Sequence, residues 1–108
     1  LCISPDGQHL YATLNGEGNV IRIDTNTKKV TARVATGRAP RSMVLGDGNL
    51  YVVNYESDSM SKVRTSDMEV LEAVKTSHHP IGISYDPPRR QVWVACYTGS
   101  IHVFDDAR

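Results

Sequence analysis

Short apolar runs, separated by turns rich in glycine, aspartate and asparagine, return along this chain in a fixed order. Leu10-Tyr11-Ala12-Thr13-Leu14-Asn15 reappears 40 residues later as Leu50-Tyr51-Val52-Val53-Asn54-Tyr55, and 42 residues after that as Val92-Trp93-Val94-Ala95-Cys96-Tyr97. A second segment keeps step: Val20-Ile21-Arg22-Ile23-Asp24-Thr25, then Met60-Ser61-Lys62-Val63-Arg64-Thr65, then Ile101-His102-Val103-Phe104-Asp105. A third, Val30-Thr31-Ala32-Arg33-Val34-Ala35, matches Val70-Leu71-Glu72-Ala73-Val74-Lys75, and Pro40 and Pro80 hold the same place in their units. Within these runs hydrophobic and polar residues alternate with period two, the mark of a half-buried strand. The Leu50 run is apolar without alternation, as expected of a strand covered on both faces. Residues 42–45, 49–54, 60–65 and 69–75 are the four strands of the second unit. Residues 67–74 also fit a helical period, but their repeat partner at 27–34 is rich in β-branched residues, so a strand is expected.

Four antiparallel strands recurring every 40 to 42 residues give the period of a β-propeller blade. The expected fold is all-β, with about two and three-quarter blades at 1–36, 37–76 and 77–108, the last lacking its fourth strand. A β-sandwich has no need of a repeating unit, and a solenoid stacks parallel strands, whereas these turns are hairpin turns. Fewer than three blades do not close a ring. The chain is therefore expected to be part of a larger propeller or to close a ring with copies of itself.

Composition narrows the function classes. Twelve basic and twelve acidic residues leave a formal net charge of zero, with no basic footprint for nucleic acid and no polybasic pull toward lipid. No apolar stretch approaches the roughly 20 residues of a membrane span. Leu1-Cys2-Ile3 already reads as strand, so a removed signal peptide or an excerpt of a longer protein is expected. Cys2 and Cys96 are too few for a disulfide framework and lack metal-motif spacing.

Ser4-Pro5-Asp6-Gly7, Leu10-Tyr11-Ala12-Thr13, Val20-Ile21-Arg22-Ile23-Asp24-Thr25 and Val34-Ala35-Thr36-Gly37-Arg38-Ala39-Pro40, taken in order, resemble the YVTN-family β-propeller repeat, and Tyr51-Val52-Val53-Asn54 resembles the tetrapeptide that names it. The third unit departs, with Asp86-Pro87-Pro88 where Ser-Pro-Asp-Gly would stand. The resemblance implies a propeller of seven or a similar number of blades. It implies a protein that is secreted, periplasmic or on the cell surface, and an interaction platform more often than an enzyme. Lactonases and the shells of redox enzymes are related propellers. No haem-attachment Cys-x-x-Cys-His occurs here, and no cofactor is expected.

In this connectivity the turns between second and third strands share a face with the connections between blades. That face gathers residues 15–19, 36–41, 55–59, 76–80 and 97–100. Its candidate binding residues are Arg38, Arg41, Tyr55, His78, His79 and Tyr97, because arginine and tyrosine combine contact area with fixed donors. A metal at His78-His79 is not expected, since neighbouring residues on an extended segment point to opposite sides and no carboxylate or cysteine stands at ligand spacing in the sequence. His102 is the one base a Cys96 nucleophile would have on its neighbouring strand, but a core role for Cys96, and likewise for Cys2, is favoured. Tyr11, Tyr51 and Trp93 align and are expected to pack between blades. Asp6, Asp47 and Asp86 fall in equivalent turns. Asp24 and Asp105, with Arg64 between them in the repeat, are expected to cap turns or form surface ion pairs.

The function expected is a non-enzymatic platform outside the cytoplasm for a protein or glycan partner, with no catalytic or metal residues. The alternatives are a metal-dependent sugar lactonase, for which Asn15 and Asn54 are available as ligands, and a structural repeat of a surface-layer or adhesin protein.

Overall fold

The computed structural model describes residues 1–106. Three antiparallel meanders account for nearly all of it. The first sheet runs β1 (Cys2–Ile3), β2 (His9–Leu14), β3 (Asn19–Asp24), β4 (Val30–Ala35). The second runs β5 (Pro40–Gly46), β6 (Asn49–Asn54), β7 (Ser59–Arg64), β8 (Glu69–Lys75). The third holds β9 (Pro80–Asp86), β10 (Gln91–Cys96) and β11 (Ile101–Asp105). Residues 67–74 fall in a turn and β8, not a helix. The first strand of the second unit is longer than its apolar run, because Pro40 pairs with Asn54 and Gly46 with Asn49. The β5–β6 hairpin turns on Asp47 (φ 52°) and Gly48 (φ 81°), the two left-handed residues of a tight Asp-Gly turn.

The sheets stack face to face through two apolar layers. Tyr11, Val20, Leu50, Val52, Val63 and Met68 fill the first, and Tyr51, Val53, Met60, Val92, Val94 and Cys96 the second. Period two in β6 explains this division: Leu50 and Val52 face one neighbour, Tyr51 and Val53 the other, and all six residues of the strand are buried. Burying each such side chain is worth about 1.5–3 kcal/mol. By contrast β10 alternates, because only one of its faces is covered. Tyr51 stacks on Tyr85 of the next blade at 5.4 Å between ring centroids. Tyr11 is buried in the same way, whereas Trp93, at the same repeat position, lies on the outer face of the third sheet and is 44% exposed.

Polar ties cross the same gaps in register with the repeat. Arg22 Nη1 donates to the Thr65 carbonyl at 3.0 Å, and Lys62 Nζ, one repeat on, bonds the Asp106 carboxylate at 2.7 Å. Each joins the middle of the third strand of one blade to the end of the third strand of the next. Ser42 Oγ donates to the Ile81 carbonyl, and Arg90 pairs with Asp47. Among the described residues no helix is long and apolar enough to cross a membrane.

Candidate functional site

Five segments meet at one end of the sheets and are sewn together by main-chain bonds. The β4–β5 connection receives Tyr55 N–H at the Ala39 carbonyl (2.9 Å) and Glu56 N–H at the Arg38 carbonyl (3.1 Å). Thr36 N–H donates to the Gly18 carbonyl in the β2–β3 turn (3.1 Å). The β8–β9 connection is held from both sides, Thr76 N–H donating to the Asp58 carbonyl (2.9 Å) and Tyr97 N–H to the His79 carbonyl (2.8 Å). Consecutive blades thereby contribute to a single surface.

On that surface Arg41, Tyr55, His79 and His78 form a run of stacked groups. The Arg41 guanidinium lies over the Tyr55 ring, 4.5 Å from its centroid. Tyr55 stacks on His79 at 4.0 Å with 12° between planes, and His79 stacks on His78 at 3.5 Å with 30°. Arg41 does not belong to the connection, as its place in the sequence suggested. It is the extra residue of a β-bulge, since Pro40 pairs with Asn54 and Ser42 with Val53, and the bulge re-aims its side chain. Cation–π contacts at exposed sites are worth about 0.5–1 kcal/mol and ring pairs about 0.5–1.5 kcal/mol. The run is therefore pre-organised without being rigidly locked.

The two histidines correct an expectation. They do not point apart, because the backbone there is not extended: His79 has φ 53°, in the left-handed region, where period-two alternation fails. Ala39 has φ 54° at the equivalent position before Pro40, so this conformation belongs to the blade-to-blade connection itself. A carboxylate also stands beside them. Asp58 Oδ1 accepts the His79 N–H at 2.9 Å, and its two oxygens lie 3.3 and 3.4 Å from His78 Nδ1. These contacts, the His79 amide first and His78 after it, hold the Asp58 carboxyl below the usual range. Asp58 was missed from sequence although residues 55–59 and 76–80 were assigned to one face. Tethering of Asp58 by the His79 amide was the absent piece.

Arg38 is exposed, and its guanidinium is 3.9 Å from Glu56, while its N–H donates to Ser57 Oγ at 2.6 Å. It is on the face but outside the run. Tyr97 takes the position of Tyr55 one blade further and is 72% exposed.

His102 serves the same connection from below. Its Nε2 receives the Ser77 N–H at 3.1 Å and lies 2.8 Å from Ser77 Oγ, and Cys96 Sγ contacts the Ser77 carbonyl at 3.6 Å. The histidine is thus committed to Ser77, and Cys96 is buried in the core. Ser61, one repeat back from His102, likewise donates to the Thr36 carbonyl at 3.0 Å, so a third-strand side chain tying down the connection is a device of the fold. Cys2 Sγ contacts the Met43 carbonyl, and burial pushes its thiol pKa up, away from reactivity. Asn54 is wholly buried and donates to Ser59 and Ser61, whereas Asn15 is exposed in a one-turn 3-10 helix. Asp24 caps the Asn26 and Thr27 amides, Asp6 bonds Ser4 and the Gln8 amide, and Arg64 pairs with Asp67 and Glu69 on the surface.

No protein-family model matches the chain, and no curated protein matches it. Solved structures do. A chain of hydrazine synthase from Kuenenia stuttgartiensis is 32% identical over 98% of this chain and 32% of its own, with a TM-score of 0.91. A chain of a mitotic checkpoint complex is 14% identical over 99% of this chain and 33% of its own (TM-score 0.87). A putative 6-phosphogluconolactonase from Bacteroides fragilis is 19% identical over 96% and 33% (TM-score 0.86). The chain thus spans about a third of the length of each of these structures. The neighbours are β-propellers and WD40-repeat proteins, and the fold of this chain is that of consecutive propeller blades. The class that follows is a β-propeller repeat module.

Proposed function

We propose that this chain is a non-enzymatic binding module of the YVTN type, part of a larger propeller, and that its loop face docks a protein partner outside the cytoplasm. The Arg41–Tyr55–His79–His78 run carries this reading. Arginine and aromatic side chains held in place by stacking present large contact area at low ordering cost, as anchors of interfaces do. The likeness to a chain of a mitotic checkpoint complex supports protein as the partner class. The 32% identity to a chain of hydrazine synthase supports blades of this kind working inside a larger protein. Ile3 on the first sheet and Trp93, Ile101 and Val103 on the third leave apolar end faces of the sort that adjoining blades cover.

The test is chemical crosslinking of the native full-length protein in its own cell extract, beside an Arg41→Ala/Tyr55→Ala variant. The reading requires a protein crosslinked to the loop face and lost in the variant. Glycan capture in place of protein, or turnover of a δ-lactone abolished by substitutions on this face, would overturn it.

A further inference from the structure

We propose that Asp58, His78 and His79 form a binding site for a divalent transition-metal ion of the zinc class, an inference that goes beyond the docking role and stands whether or not a partner binds. One carboxylate oxygen and one ring nitrogen from each histidine all lie within 4.8 Å of one another. Donors about 2.1 Å from a tetrahedral zinc are about 3.4 Å apart. The His78–Asp58 edge already meets that spacing at 3.3 Å. The two imidazoles are stacked at 3.5 Å with 30° between planes, so sharing one ion requires the His78 ring, whose side chain is 59% exposed, to turn out of that stack.

The donor set selects the ion. Two imidazoles and a single carboxylate suit zinc, nickel or copper and not calcium or magnesium, which call for an oxygen shell. Supporting contacts of the kind that orient metal ligands are present. The Asp58 carboxylate is fixed by the His79 N–H at 2.9 Å, and the His79 ring is held by its stack on Tyr55. The three residues come from the β6–β7 turn and the β8–β9 connection, so a bound ion would clip two loops together at the surface. Three protein donors leave the remaining coordination positions to water or to a donor from outside the chain.

The experiment is calorimetric titration of the protein with Zn2+ alone, in buffer without chelating groups. Wild type is expected to bind one ion per chain at this site, and Asp58→Asn and His78→Ala to weaken binding at least tenfold. A Cys2→Ser/Cys96→Ala variant is expected to bind as wild type does. His78→Gln, which keeps the side chain's bulk, repeats the test should alanine disturb the loop, and circular dichroism confirms the fold of each variant. Absence of saturable binding below millimolar Zn2+, or equal affinity in the Asp58 and His78 variants, would overturn the proposal, as would binding that disappears with the cysteines.

Discussion

Replacing Asp106 with alanine removes the partner of a lysine that is almost wholly buried. The Lys62 and Asp106 side chains are only 7% and 14% exposed, and the Tyr51 hydroxyl donates to the same carboxylate. Burial, and after it the neighbouring carboxylate, push the Tyr51 pKa well up, so the phenol stays a donor throughout the neutral range. Asp106→Ala therefore strands an ammonium group between two blades and removes the acceptor of the Tyr51 hydroxyl. Breaking a buried pair by deleting one partner costs about 3–5 kcal/mol, whereas exposed pairs are worth about 0–1 kcal/mol. At about 4–8 °C per kcal/mol for a small domain, the melting midpoint should fall by at least about 12 °C. Arg33–Glu17, at 48% and 62% exposure, provides the internal comparison: Glu17→Ala should change stability by less than about 1 kcal/mol. The double variant Lys62→Met/Asp106→Leu removes both charges and should recover most of the loss, since an apolar replacement of a buried pair is often neutral. Urea unfolding of the wild type and the three variants ranks these costs, through shifts in midpoint at constant slope. If Asp106→Ala is no more costly than Glu17→Ala, the tie is solvated and the stacking described between the second and third blades is wrong.

Four further outcomes follow from other parts of the molecule. Gly46→Ala should destabilise by about 1–3 kcal/mol in urea unfolding, because the new methyl would overlap the Tyr85 ring. Gly82→Ala, whose methyl would meet Ala95 at an ordinary 3.6 Å, should be tolerated. Ser61→Ala should cost about 1–3 kcal/mol in the same assay by leaving the buried Asn54 amide short of a partner. Asp58 has a folded pKa below its unfolded value, so its contribution is complete above the unfolded value of about 3.9 and is lost as pH falls through the folded one. The His79 amide resonance, followed from pH 6 downward, should therefore shift with a midpoint below about 3.9. A midpoint at or above that value would show that the Asp58 bond is not formed.

The blades were legible in the sequence because the repeat and the strand period are local signals that reinforce one another. Leu10, Leu50 and Val92 announce equivalent strands before any fold is known. The face that gathers Arg41, Tyr55, His78 and His79 was legible too, from connectivity alone. What failed was the assumption of extended backbone at His78-His79, although Ala39-Pro40 and His79-Pro80 occupy the same place in the repeat and so mark a connection, not a strand. Contacts between blades were illegible for a different reason. Arg22 and Lys62 share a repeat position, but their partners at 65 and 106 lie in the next sheet, and no pattern within a blade fixes how two sheets are offset. Trp93 shows the same limit: its alignment with Tyr11 and Tyr51 gives the role of the position, and its neighbours decide whether the ring is covered.

The most direct test of the stacked-blade account is a NOESY spectrum of isotopically labelled protein, read for ring-to-ring contacts between Tyr51 and Tyr85 and between Tyr55 and His79. The account requires both sets of cross-peaks, since the centroids are 5.4 and 4.0 Å apart. Intact cross-peaks within each sheet with neither inter-ring contact would contradict it.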